Sequence, residues 1–310
     1  MKIKDKIRLF RRLALAVLLV CLFLLGQAYF QSVQHRVQQD ELKKMTVTTQ
    51  EELAAEDSGA PDTGDNGAGL SGGTVQKTDD AVAQTDDAAQ TVGEPMQNDN
   101  AAQRSGSLMW QETTAAPEPV MLDKFTALYA ENSDLVGWLS IADMRIDYPV
   151  MQNEDDEYYL HHDFYGEDSK YGCLYVREQA DLEDGTNFVI YGHNMRDGSM
   201  FGDLDLYLDE NFYREHSVIS FDTLYEERAY EIVAVFRSQV YRDDEDVFKY
   251  YQFYEADTRE EFADFYDNIK TRSLYDTGVE AQFGDTFLTL STCAYHVEDG
   301  RLVVVAKRVE

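Results

Sequence analysis

Three residue types that together can move an acyl group stand at the ends of apolar runs in the carboxy-terminal part of this chain. Thr289-Leu290-Ser291-Thr292-Cys293 closes an apolar, β-branched run with a thiol. After a short polar segment, Arg301 opens a second such run, Arg301-Leu302-Val303-Val304-Val305-Ala306-Lys307. Well upstream, Phe188-Val189-Ile190-Tyr191-Gly192-His193-Asn194 ends a third run in an imidazole. Two antiparallel strands joined by a short loop can hold a nucleophile and a fixed positive donor side by side at one edge of a sheet. A thiol with an ordinary pKa of about 8.5 is mostly protonated at neutral pH, so thiolate chemistry needs a cationic neighbour or a base. An imidazole can protonate a departing amine and then deprotonate an incoming one. A guanidinium stays charged and presents its donors as a fixed fork, which suits an oxyanion or a substrate backbone.

Each of these residues also has a plain structural reading. Cys293 could be a buried strand cysteine, His193 a loop histidine, and Arg301 a strand cap paired with Glu298 or Asp299. The polar Ser291-Thr292 before the thiol and the nearby guanidinium favour the chemical reading. His296 is the rival base, but its place between the two strand-like runs suits a loop surface. His161 and His162 precede Asp163-Phe164 and fall in no catalytic pattern.

From about Val120 to Glu310 the chain resembles the sortases, and class B sortases most closely. The Thr-Leu-Ser-Thr-Cys box, the Tyr-Gly-His box and the arginine after the cysteine carry the resemblance, together with Asp134-Leu135-Val136-Gly137-Trp138-Leu139, Ile146-Asp147-Tyr148-Pro149-Val150 and Met200-Phe201-Gly202-Asp203-Leu204. The resemblance implies a cysteine transpeptidase with Cys293 as nucleophile, His193 as general acid/base and Arg301 as stabiliser of oxyanion or substrate. By the same match Ser291, Thr292 and Asn194 are expected to bind substrate. Some class B members carry an acidic residue directly after the cysteine; this chain has Ala294, so no contact of that carboxylate carries over. No cofactor or metal is implied, and the calcium dependence of some other sortase classes is not expected because no acidic cluster can be assigned to a site.

The formal net charge of −32 over 310 residues argues against a nucleic-acid partner, since a phosphate backbone would be repelled. Three cysteines, Cys21, Cys173 and Cys293, offer neither a disulfide framework nor a C-x-x-C metal spacing. Cys173, in a strand-like segment, reads as a small core residue.

Four segments follow from composition. Residues 1–12 form a basic tail carrying Lys2, Lys4, Lys6, Arg8, Arg11 and Arg12. Residues 13–30 carry no charge; eighteen helical residues span about 27 Å, close to the hydrocarbon core of a bilayer, and read as a transmembrane signal-anchor. The basic flank would stay cytoplasmic and the rest outside. A cleaved signal peptide is the competing reading, with Gly26-Gln27-Ala28 as a weak cleavage site. Residues 31–118 read as a disordered acidic linker, with Gln34 to Lys44 able to continue a helix for a few turns. As a flexible coil of roughly 75 residues, the part beyond would reach on the order of 50 Å. Its composition cannot bury enough apolar area to offset chain entropy.

Residues 119–310 read as the catalytic domain. Leu122, Phe125, Leu128 and Tyr129 mark one face of an opening helix. Eight strand-like runs follow, at 137–141, 146–150, 172–176, 187–191, 218–221, 230–237, 285–292 and 302–308. The expected fold is mostly β with helices: a closed eight-stranded barrel with an N-terminal helix and a helix inserted before the cysteine strand. The inserted helix is signalled by the capping-box pattern Thr258-Arg259-Glu260-Glu261 and the stripe Phe262, Phe265, Tyr266 and Ile269. The expected partners are secreted proteins bearing a sorting signal of the Asn-Pro-x-Thr or a related type, an amine from a peptidoglycan peptide or a pilin lysine, and the membrane. A thiol peptidase using water as acceptor and a non-catalytic wall- or peptide-binding barrel are the alternatives.

Overall fold

The computed structural model describes residues 3–57, 119–294 and 297–309. The first of these segments and the folded carboxy-terminal part belong to one compact unit. Eight strands close into a barrel: β1 (Leu135–Ser140), β2 (Asp147–Gln152), β3 (Leu174–Val176), β4 (Asn187–Gly192), β5 (Val218–Thr223), β6 (Ala229–Gln239), β7 (Phe287–Cys293) and β8 (Gly300–Val309). Around the barrel their order is β1-β2-β3-β4-β7-β8-β6-β5. All eight strand-like runs of the sequence become strands, and their ends move by only a residue or two.

Two pairings are parallel, β2 with β3 and β4 with β7. The second matters most. Parallel strands end at the same edge, so the residues that follow Gly192 and Thr292, which are register partners, leave the barrel side by side. The β7–β8 pair is antiparallel and ends with Cys293 opposite Arg301.

β4, β7 and β8 are apolar on both faces, as strands covered on two sides must be. Phe188, Ile190, Leu288, Leu290, Leu302 and Val304 fill the barrel interior. Val189, Phe287, Val303 and Val305 point outward and are covered by the connection between β6 and β7. That connection contains the inserted helix, which runs Arg259–Arg272. It starts at a capping box: the Thr258 hydroxyl accepts from the Glu261 amide at 3.2 Å, while the Glu261 carboxylate accepts from the Thr258 amide at 3.1 Å. Such a cap stabilises by about 1 kcal/mol. The helix buries Phe262, Phe265 and Ile269, with Phe265 stacked on Phe253 at 4.0 Å.

The first helix, α1, covers Ile3–Asp57, and the second, α2, covers Asp123–Glu131. α2 buries Phe125 and Leu128 as expected, whereas Tyr129 faces outward and is exposed. Leu13 to Phe30 is the exposed apolar part of α1. α1 does not give way to a linker after Phe30. Residues 31–57, expected as the start of an acidic linker, are helical, and the continuation expected for Gln34 to Lys44 extends to Asp57. His35 and Leu42 explain the difference. Seven residues apart, they share one face of α1, and both are buried against the barrel. The remainder of the linker expectation, 58–118, lies outside the described residues.

Candidate active site

Gly192 sets the position of His193. A side chain at Gly192 would meet Leu174 and come within 2.8 Å of the Phe201 ring, so only glycine lets β4 run this close to its neighbours. The Phe201 amide then donates to the His193 carbonyl at 2.9 Å. The imidazole Nε2 lies 2.8 Å from the Leu160 carbonyl oxygen. A carbonyl can only accept, so Nε2 carries a proton and Nδ1 is the nitrogen not engaged by this contact. Leu160 ends up there through Gly172, whose backbone at φ +59° leaves no room for a Cβ against the Tyr159 and Leu160 carbonyls.

Cys293 is half-buried at the end of β7. The Asn194 side-chain amide donates to the Cys293 carbonyl at 2.8 Å and reaches the Asp205 carboxylate at 3.3 Å. Asn194, expected to bind substrate, thus ties the histidine loop to the cysteine strand. Arg301, the register partner of Cys293, donates through Nη1 to the Gly300 and Asp299 carbonyls at 3.0 and 3.2 Å. One end of the fork is fixed by its own loop. Among the described residues no hydrogen bond engages the rest of it.

Ser291 and Thr292 are buried, each about 1 % exposed. The Thr292 hydroxyl donates to the Gly192 carbonyl at 2.8 Å, so it welds β7 to β4 directly beneath His193 and Cys293. The Ser291 hydroxyl is paired with the Tyr250 hydroxyl at 2.7 Å. In this geometry both hydroxyls support the site from below rather than lining an open surface.

The structure adds residues that spacing did not single out. Tyr175, Tyr191 and Ser291 are successive register partners across β3, β4 and β7, and Tyr250 from the β6–β7 connection completes the row. The Tyr175 and Tyr191 rings stack at 5.5 Å, and the Arg177 guanidinium lies 5.1 Å over the Tyr191 ring. Burial pushes the Tyr250 and Tyr175 hydroxyls up to about 12, against the opposing pull of nearby Arg301, and raises Tyr191 as well. These phenols stay neutral, so the wall beside the cysteine is aromatic with polar tips and adds no negative charge. Tyr250 had no sequence signal, because nothing in Tyr250-Tyr251 marks it as facing β7.

The other histidines and thiols separate cleanly. His162 stacks on Tyr158 at 4.1 Å and its Nδ1 lies 2.7 Å from the Tyr158 carbonyl, which makes it structural. Cys173 is 3 % exposed, and burial pushes its thiol up. His296 lies outside the described residues.

A family model of the sortase domain matches residues 139–309. Sortase B of Listeria monocytogenes is 38% identical over 195 residues, covering 60% of this chain and 74% of that protein. Among solved structures, sortase B from Bacillus anthracis in complex with AAEK2 superposes with a TM-score of 0.56 at 34% identity, covering 63% of this chain and 86% of the other. The Staphylococcus aureus sortase B–substrate complex gives a TM-score of 0.56 at 28% identity, covering 61% and 86%. The chain therefore belongs to the sortases, a family of cysteine transpeptidases, and within them to class B.

Proposed function

We propose that this protein is a membrane-anchored transpeptidase that cleaves a carboxy-terminal sorting signal of the Asn-Pro-x-Thr or a related type and joins the new carboxyl to a cell-wall peptide amine. The observation that carries the reading is the pairing of Cys293 with Arg301 across β7 and β8, beside the strand end that delivers His193.

In the proposed sequence the Cys293 thiolate attacks the carbonyl carbon of the signal's threonine. Negative charge develops on the carbonyl oxygen, where the free part of the Arg301 fork can donate to it. The tetrahedral adduct collapses, the C–N bond breaks, and His193 gives the Nδ1 proton that it took from the Cys293 thiol to the departing amine. The thioester left on Cys293 retains enough energy for an amine to replace the sulfur. His193 takes the proton of that incoming amine, and the product leaves as a new amide. A similar sortase B, that of Staphylococcus aureus, has been solved as a substrate complex, which supports a substrate-binding role for the same fold here.

Leu13 to Phe30 supplies the anchor in this reading, with the basic residues before it on the cytoplasmic side and the catalytic domain outside. Incubating the purified protein with a library of sorting-signal peptides and candidate amines, with products read by mass, tests it. Threonine-carbonyl-to-amine adducts are the expected product. Hydrolysis products alone at every amine concentration would favour a peptidase that uses water.

A further inference from the structure

The first part of the chain after the proposed anchor, residues 31–48, is helical and packs on the domain. Beyond Phe30 the same helix changes character without a break, and Ser32, His35, Gln38, Gln39, Leu42 and Met45 turn towards the domain. Leu42 is fully buried in a cluster with Phe125, Leu128 and Trp138. Gln38 donates to Asp163 at 2.9 Å, and Lys43 pairs with Asp147, whose other oxygen accepts from the Trp138 indole at 2.6 Å. The His35 ring lies 4.1 Å from the Tyr171 ring and 5° from parallel to it, with Tyr148 beyond at 6.3 Å. α1 precedes the family match, which begins at residue 139.

We propose that the juxtamembrane half of α1 is a strut latched by His35: docked on the barrel, it holds the catalytic domain at a fixed height above the bilayer, and protonation of His35 releases it. The inference rests on Leu13–Phe30 being membrane-embedded. From Phe30 to Met45 the helix rises about 22 Å at 1.5 Å per residue, so a docked strut keeps the site close to the membrane.

His35 suits a latch because its buried, unpartnered place in the interface favours the neutral ring. It is 6 % exposed, and its Nε2 has no hydrogen-bond partner among the described residues, nor has the buried Gln39 Oε1 on the same face. The charged groups facing it are Asp163, Asp168 and Lys170 from the segment before β3, Arg145 and Asp147 at the start of β2, and Asp197 after β4. On α1 itself Arg36, Asp40, Glu41 and Lys43 lie nearby. Burial lowers the ring to about 4 although Asp197 and Asp163 pull the other way, and Lys170 adds to the lowering. His35 stands outside the uncharged run that would cross the bilayer, so an undocked ring would titrate near its ordinary 6.5.

The sign follows from linkage. The docked state binds the proton more weakly, so docking is complete above about pH 6.5 and weakens roughly tenfold per unit from there down towards pH 4. Between pH 7.5 and 5.0 the docking equilibrium should fall about thirtyfold.

Backbone hydrogen exchange on the full chain in lipid nanodiscs tests this, with rates corrected for the intrinsic effect of pH. At pH 7.5 residues 31–45 should be strongly protected, and at pH 5.0 that protection should drop by about thirtyfold. His35→Phe keeps the stack without a titrating nitrogen and should stay protected at both values. His35→Arg and Leu42→Glu should exchange rapidly already at pH 7.5, with β7 and β8 still protected as proof that the barrel is folded. Equal protection of 31–45 in the parent at both pH values would overturn the latch. Rapid exchange of 31–45 at pH 7.5 with 13–30 protected would overturn the strut and leave the anchor intact. Rapid exchange of 13–30 would overturn the anchor and the strut with it.

Discussion

The side-chain amide of Asn194 donates to the main-chain carbonyl of Cys293 at 2.8 Å, so beyond the last β4–β7 register pair the loop that carries His193 is tied directly to the residue that carries the thiol. Asn194→Ala removes that tie without touching the His193 imidazole or the Cys293 thiol. A lost hydrogen bond of this kind costs about 1 kcal/mol, which corresponds to a fall in kcat/KM of roughly fivefold to tenfold if it is felt at the transition state. Asn194→Asp replaces the donor with an acceptor facing a carbonyl and Asp205, and should be no better than alanine. Steady-state kinetics on both variants check this. Parent-like kcat in each would show that the contact does not position the site.

Cys293 and Cys173 should react with alkylating reagents at very different rates. Cys293 is half-buried at a strand end, while Cys173 is 3 % exposed with its thiol pushed up by burial. Thiolate, not thiol, is the nucleophile. Brief treatment of native protein with iodoacetamide, read by peptide mass, should label Cys293 at least tenfold faster than Cys173. Labelling of Cys173 at a comparable rate would mean that its strand opens readily.

The strands were legible because both periodicities were present. β5 alternates inward and outward residues, and β7 and β8 read as continuous apolar runs since the β6–β7 connection covers their outer face. Cys293, His193 and Arg301 were visible as types at strand ends, but their proximity depends on β4 and β7 being parallel and in register, a long-range pairing with no local signature. Ser291 and Thr292 are expected from the sequence to bind substrate, yet a hydroxyl in a sequence does not say whether it faces Tyr250, Gly192 or solvent. The docking of α1 was hidden for another reason. Its face is built on His35, Gln38 and Gln39, which in composition look like the start of a polar linker, and only Leu42 and Met45 hint at burial.

Gly192 predicts a structural cost with a chemical consequence. A methyl group there would press on Leu174 and the Phe201 ring, both part of the barrel core. Overpacking of this kind costs about 1–3 kcal/mol. Gly192→Ala should lower the midpoint of chemical denaturation accordingly and displace His193, so that turnover falls more than peptide binding does. An unchanged midpoint would mean that the neighbours yield without strain.

His193 and His296 can be separated by turnover. His193 has its Nε2 fixed on the Leu160 carbonyl, which orients the ring. If it is the acid/base, His193→Ala should lower kcat by roughly two or more orders of magnitude, while His296→Ala should be mild. The opposite ranking would move the assignment to His296.

Cys293 and Arg301 face each other across β7 and β8 but are assigned different jobs, and variants can tell these apart. Cys293→Ala lacks the atom that forms the thioester, so no covalent intermediate should appear by mass with any signal peptide. Arg301→Lys keeps the charge and loses the planar fork, one end of which is already committed to the Gly300 and Asp299 carbonyls. A lysine ammonium carries its three rotatable donors on one nitrogen and cannot present two donors from separate nitrogens in one plane. Lysine should therefore be nearly as poor as alanine, each losing on the order of a hundredfold in kcat, as expected for removal of an oxyanion donor. Substantial activity in Arg301→Lys would show that charge alone suffices and that the fork geometry is not used. Added amine should divert product from hydrolysis to transpeptidation in proportion to its concentration while the rate of thioester formation stays constant. Cleavage that persists in Cys293→Ala would place the chemistry at another residue altogether.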